Sequence, residues 1–197
     1  MSPIEIAAAL LGIANIWLLV RRSVWNYPFG LAMVAIYAVV FYRARLYPDT
    51  CLQIFFFVVQ LYGWWNWVHG RNDDGLVRVE TLNARERTLW SGVTLGFALA
   101  VGWFFSTYTN ASAPWMDGSI AAMSVVAQYL LSVRRIENWY LWIAADTVAV
   151  PLYLWKGLYP TSALYLVFLG FSVAGYLGWR REVHAQSAMD AIEESLA

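Results

Sequence analysis

The sequence predicts an all-α polytopic membrane protein whose seven transmembrane helices form a 3+1+3 parallel repeat. Three observations carry this prediction: a composition too apolar for a water-facing surface, seven apolar windows divided by charge clusters, and a match of the chain with itself 112 residues on. Of 197 residues, 60% are hydrophobic, 17% aromatic and 13% charged, and the mean hydropathy is +0.51. A soluble domain carries roughly 25% charged residues, so 13 basic and 13 acidic side chains cannot cover its surface. Apolar segments of about 20 residues suit a bilayer core instead, and a soluble enzyme is excluded.

The windows follow one another in order. Ile4–Val20 ends at Arg21-Arg22, and Pro28–Tyr42 ends before Arg43 and Arg45. Thr50–Val68 contains the amides Gln53 and Gln60. The polar segment His69–Thr88 carries both signs of charge and reads as a solvated cytoplasmic connector. Leu89–Ser106 is the fourth window, and the loop Thr107–Gly118 after it has no basic residue. Ser119–Val133 stops at Arg134-Arg135, Asn138–Trp155 at Lys156, and Thr161–Trp179 at Arg180-Arg181. Several windows fall short of about 20 residues, so the helices extend into the flanks. Organised by domain, 1–68 is a first three-helix bundle and 69–88 a cytoplasmic loop. Residues 89–118 hold the linking helix four and an outer loop, 119–181 a second three-helix bundle, and 182–197 a cytoplasmic tail with a short amphipathic helix.

The repeat aligns Asn26–Trp67 with Asn138–Trp179 without gaps. Identities include Asn26/Asn138, Leu46/Leu158, Tyr47/Tyr159, Pro48/Pro160, Gly63/Gly175 and Trp67/Trp179. Upstream, a one-residue slip matches Arg21-Arg22 to Arg134-Arg135 and Asn15 to Gln128. One extra crossing separates the two halves, so both run the same way through the membrane. Parallel repeats of this kind are a carrier plan, with the solute near the midplane between the halves.

Basic residues orient the chain. Arg43, Arg45 and Lys156 fall on the N-terminal side, and the other ten cations fall opposite. The N-terminus is therefore expected outside and the C-terminus in the cytoplasm. No cleavable signal peptide is expected at the first apolar stretch, which lacks a basic leader.

Asp146 stands at the centre of the sixth window, where a carboxylate costs several kcal/mol unless paired or wetted. No basic residue occupies the middle of any window. Trp139, Trp142 and Asp146 share a helical face, with Asn138 one turn from Trp142. Two indoles beside a carboxylate suit a flat, positively charged ring through stacking and cation–π attraction. On the third window Gln53, Gln60, Trp64 and Trp67 form a second stripe; Gln128 with Ser124, Asn15, and Tyr165 with Ser172 and Tyr176 add polar groups for a hydroxylated solute. Pro151 places a kink in the sixth helix.

The chain holds no Walker A motif, no lysine inside a window for a Schiff base, and no intramembrane nucleophile–base pair. No cofactor and no metal are expected, and a net charge of zero offers no surface for nucleic acid. Facilitated diffusion is the default mechanism; proton coupling through Asp146, a seven-helix receptor or scaffold, and an intramembrane enzyme are the alternatives.

WNYPFG from Trp25, the two Leu-Tyr-Pro loops, and RRIENWYLWIAADTVAVPLYLWKGLYPTSALY from Arg134 resemble the PnuC family of bacterial vitamin transporters, over essentially the whole chain. The resemblance implies seven core helices arranged as in full-length SWEET transporters. It also implies uptake of nicotinamide riboside across the inner membrane, with a cytoplasmic kinase trapping the product by phosphorylation, and a homotrimer as assembly. The family's Trp-x-x-Trp motif falls on Trp139 and Trp142 and its span-five amide on Gln128. Relatives of this type also move thiamine or riboflavin. Nicotinamide riboside and thiamine both carry a fixed positive ring, so Asp146 does not choose between them. Nicotinamide mononucleotide fits less well, since its phosphate finds no cation at mid-membrane.

Overall fold

In lipid no water satisfies the backbone, so a spanning segment must bond its N–H and C=O groups internally, and helices do this within one segment. The structure, a computed structural model, describes residues 3–43, 45, 47–70 and 77–196. Among them stand seven helices: α1 Pro3–Val20, α2 Asn26–Arg43, α3 Tyr47–His69, α4 Ala84–Tyr108, α5 Pro114–Ser132, α6 Asn138–Trp155 and α7 Tyr159–Leu196. Leu46 of the first Leu-Tyr-Pro triplet and residues 71–76 of the connector lie outside the described residues.

The helix ends differ from the apolar windows where polar residues do the capping. Helix α4 starts at Ala84, inside the connector, because Asn83 and Glu86 form a capping box. The Asn83 side chain accepts the Glu86 N–H at 3.0 Å, and the Glu86 carboxylate accepts the Asn83 N–H at 2.9 Å. Helix α5 starts at Pro114, whose missing N–H costs nothing in a first turn. Helix α7 runs 38 residues, about 57 Å at the α-helical rise, well beyond the ~30 Å of a bilayer core. The expected separate tail helix is thus one piece with α7. Nothing after Trp179 is a glycine or proline that would break it.

Two compact units divide the chain: Met1–Arg78 with Leu131–Arg134, and Val79–Leu130 with Arg135–Ala197. In the first, α1 packs on α2 and α2 on α3. Tyr27 sits over Gly63 and meets Trp67 edge to face, with centroids 5.3 Å apart and planes at 86°. The Trp67 indole donates to the Leu131 carbonyl at 3.0 Å and the Asn66 amide to that of Ser132 at 2.9 Å. In the second unit α6 packs on α7. Trp139 sits over Gly175 and meets Trp179 edge to face at 5.5 Å and 89°. Ile120, Ala149 and Leu152 form a core cluster there, and Lys156 pairs with Asp117 at 2.8 Å.

The same local geometry recurs 112 residues on. Helices α1 and α5 both end in a Schellman turn. Arg22 donates to Leu19 and Ser23 to Leu18; Arg134 donates to Leu131 and Arg135 to Leu130. Arg22 at φ 59° and Arg134 at φ 62° take the left-handed position of that turn, which costs an L residue roughly 1–2 kcal/mol. Arg45 and Gly157 do the same after α2 and α6, at φ 60° and 73°. Asn26 braces its turn by donating to the Ser23 carbonyl at 2.7 Å, and Asn138 donates to that of Arg135 at 2.6 Å. These positions correct the slip in the sequence alignment. Arg22 pairs with Arg134, because both fill the left-handed site, so the 112-residue offset continues upstream and Asn15 falls opposite Ala127 rather than Gln128.

The connector also differs from expectation. Its described second part is a packed strap rather than a solvated loop, with Val77, Val79 and Leu82 buried. Ile136 donates to the Glu80 carbonyl, Arg135 to that of Thr81, and Arg135 pairs with Glu80 at 3.3 Å. Glu137, 7% exposed, accepts the Leu82 N–H on both oxygens at 3.1 Å and pairs with Arg87.

Outside these contacts the helices present apolar side chains. Leu89, Leu95, Leu99 and Trp103 of α4 are each more than half exposed. Ala84–Tyr108 and Tyr159–Ile192 are long and apolar enough to cross a bilayer. Water would disfavour such a surface, whereas acyl chains match it.

Two predictions follow from this packing. A methyl group on Gly175 or Gly63 would overlap the ring seated there, and overpacking of this kind costs about 1–3 kcal/mol. Thermal unfolding in mild detergent should therefore show a lowered midpoint for Gly175→Ala and for Gly63→Ala; an unchanged midpoint would mean that the rings are free to move. Glu137→Ala orphans the buried Leu82 N–H and should cost about 1–3 kcal/mol, with protease cutting appearing in the strap. Resistance equal to wild type would remove Glu137 as its anchor.

Candidate functional site

A mid-helix carboxylate must find hydrogen bonds or a counter-charge. Asp146 is 3% exposed, and its Oδ2 accepts from the Ser172 hydroxyl of α7 at 3.0 Å. The pair is one rung of a ladder between α6 and α7. Above it the Tyr140 and Tyr176 hydroxyls meet at 3.1 Å; below it Tyr153 and Tyr165 stack with centroids 5.1 Å apart. Among the described residues the ion pairs Arg87–Glu137, Arg135–Glu80 and Lys156–Asp117 leave Asp146 aside. One serine hydroxyl thus satisfies part of the carboxylate.

Trp142 lies one helical turn before Asp146 on the same side of α6. It is half-buried, and among the described residues no other ring stacks on it. Trp139 differs: it is 2% exposed, closed in by Gly175 and Trp179. Its ring is therefore less accessible than that of Trp142. Asn138 is fully buried and spends its amide nitrogen on the Arg135 carbonyl, while its Oδ1 has no partner among the described residues. Gln128 is half-buried on α5.

In the first unit, Gln60 is 6% exposed, and its amide oxygen crowds over Gly30 together with the Asn15 amide nitrogen. Asn15 also donates to the Asn26 carbonyl at 2.7 Å. Gln53 is half-buried and Trp64 is exposed on α3, whereas Trp67 of the same stripe is wholly buried by its bond to Leu131. The structure thus brings Trp142, Asp146 and Ser172 together in one unit and Gln60 with Asn15 in the other. Trp139, Asn138 and Trp67 are the buried members of the two stripes.

The polar stripe of α7 includes Ser172, but its partner Asp146 is on another helix and no local pattern pairs them. Glu137 is absent from the sequence-based candidates: Arg87 and Leu82 lie 50 and 55 residues away, beyond any local pattern. Beside Glu137 a cavity of about 240 Å³ opens among Leu82, Arg87, Trp90, Leu130 and Tyr140, and neither Trp142 nor Asp146 lines it. Among the described residues no three His, Cys, Asp or Glu side chains gather to hold a metal. Chemically, an indole offers a π face and a carboxylate a negative charge, the two groups that attract a flat cation in general.

Comparison with known proteins bears on this arrangement. The chain is 24% identical to the nicotinamide riboside transporter PnuC of Escherichia coli (strain K12), over 91% of this chain and 85% of that one. It is 28% identical to the nicotinamide riboside transporter PnuC of Neisseria mucosa, over 91% and 73%. It is also 28% identical to the riboflavin/roseoflavin transporter RibM of Streptomyces davaonensis, over 89% and 83%. The crystal structure of the vitamin B3 transporter PnuC superposes with a TM-score of 0.74 at 26% identity, covering 92% of this chain and 82% of that one. The model of the nicotinamide mononucleotide transporter family matches residues 2–181. The chain therefore belongs to that family, which includes the PnuC proteins, and is a membrane transporter rather than an enzyme.

Proposed function

We propose that this protein takes up nicotinamide riboside across the bacterial inner membrane by facilitated diffusion, with Asp146 meeting the positive pyridinium ring and Trp142 stacking on it. The observation that carries the reading is a buried carboxylate with one serine for company, which calls for a cation. The riboside supplies that cation without a phosphate. The mononucleotide would bring negative charge toward Asp146. Gln128 on α5 is the amide for a ribose hydroxyl in that unit, and Gln60, Gln53 and Trp64 on α3 are the substrate-binding candidates of the first unit. Trp139 and Asn138 support the site from the framework. A cytoplasmic kinase then traps the riboside by phosphorylation.

The wider architecture belongs to the same proposal. The two units form a 3+1+3 parallel repeat similar to SWEET transporters, with α4 as the linking helix; the matching Schellman turns, braced asparagines and glycine-seated rings support it. The N-terminus faces out and the C-terminus the cytoplasm, following the arginines. The assembly is a homotrimer, as the family resemblance implies.

A second reading is riboflavin, favoured by the 28% identity to the riboflavin/roseoflavin transporter. Riboflavin is neutral and leaves Asp146 without a counter-charge. Thiamine keeps the charge and changes only the ring system. Calorimetric titration of purified protein with the three vitamins side by side separates them. Nicotinamide riboside should bind most tightly. Asp146→Asn should weaken it roughly 10- to 100-fold, the worth of one hydrogen-bonded charge, and Trp142→Ala should cost about 1–3 kcal/mol, as for other base–aromatic stacks. Tighter binding of riboflavin, undiminished in Asp146→Asn, would overturn the assignment.

A further inference from the structure

The recurrence between the two units sorts buried side chains into those the architecture needs twice and those it needs once. Asn26 and Asn138 brace the same turn, Tyr27 and Trp139 seat on Gly63 and Gly175, and Trp67 and Trp179 close over both. The positions of Trp142, Asp146 and Ser172 break the pattern, for at the same offset the first unit has Gly30, Val34 and Gln60. Val34, 2% exposed, fills the place of Asp146 with an apolar side chain. Helix packing at this level therefore needs no acid and no serine.

The serine also breaks a local habit. Hydroxyls inside helices ordinarily return their proton to the carbonyl one turn back. Thr94, Ser119 and Thr147 do so, at 2.7 Å each, to Trp90, Trp115 and Ile143. Ser172 instead gives its proton across to Asp146 on the neighbouring helix. That bond fixes the carboxylate plane through Oδ2, while Oδ1 accepts no bond among the described residues.

The geometry points to Ser172 as the positioning residue that makes this site select for positive charge: it holds the Asp146 carboxylate so that its second oxygen meets the cationic ring of the substrate. The inference rests on the proposed cationic-vitamin site and adds the group that sets its charge discrimination. Without the hydroxyl the carboxylate swings between rotamers, and the cation loses affinity. A neutral ligand of the same shape, which gains nothing from the charge, loses little.

The test compares nicotinamide riboside with its neutral reduced form, dihydronicotinamide riboside, by equilibrium binding to purified full-length protein. Wild type should prefer the cation. Ser172→Ala should bind the cation roughly 5- to 10-fold more weakly, with the neutral form changed less than about twofold. Ser172→Thr should restore the preference, and Ser172→Cys, which keeps the size and weakens the donor, should follow Ser172→Ala. An equal loss for both ligands would make Ser172 a packing residue and overturn its role. Full discrimination in Ser172→Ala and Ser172→Cys would do the same while leaving the site reading intact. A wild type that binds the two forms equally would overturn the cationic site itself, and this inference with it.

Discussion

An aromatic ring seated on a glycine, and closed by a tryptophan edge, holds each unit together. Within a bilayer the hydrophobic effect offers little net gain for bringing one helix against another, since acyl chains are as apolar as leucine. Close fit has to supply the attraction instead. Glycine at 63 and 175 lets Tyr27 and Trp139 approach the partner helix backbone, and Trp67 and Trp179 then meet those rings at near right angles. Such edge-to-face pairs add about 0.5–1.5 kcal/mol beyond the area they bury. The braced turns at Asn26 and Asn138 set the start of the helices that carry the rings, so the turn and the ring work as one device.

Duplication of that device leaves other positions free to diverge. Where Gly30 lets Gln60 and Asn15 crowd together in the first unit, the corresponding Trp142 puts an indole one turn from a carboxylate in the second. A carrier needs such asymmetry. The framework must survive motion, and under the proposed function the diverged positions are the ones that meet the solute. Glu137 is a third departure, standing where the first unit has Trp25, and it serves the chain rather than the solute. It ties the strap ahead of α4 to the start of α6.

Much of this was legible in the sequence. Helix α6 has the bounds of its apolar window, because Asn138 and Trp155 coincide with the charge clusters around it. Helix α4 began earlier than its window because a capping box is made of polar residues, which hydropathy assigns to the loop. The upstream slip in the repeat came from matching the chemically similar Asn15 and Gln128. The feature that sets the register is a backbone one, the left-handed arginines 22 and 134. Asp146 stood out as a lone acid in an apolar window, but helical periodicity could not say which side of Trp139 faces a neighbour. Its enclosure depends on a glycine and a tryptophan on α7, contacts that only the fold supplies.

A carrier that moves a cationic riboside by facilitated diffusion, as proposed, exchanges its solute without an energy source of its own. Entrance counterflow in proteoliposomes reads that exchange, with unlabelled nicotinamide riboside inside and a trace of labelled riboside outside. Facilitated diffusion gives a transient accumulation of label driven by exchange alone, of the same size with or without an imposed pH gradient. Absence of exchange by folded protein, or accumulation that appears only with a proton gradient, would contradict it.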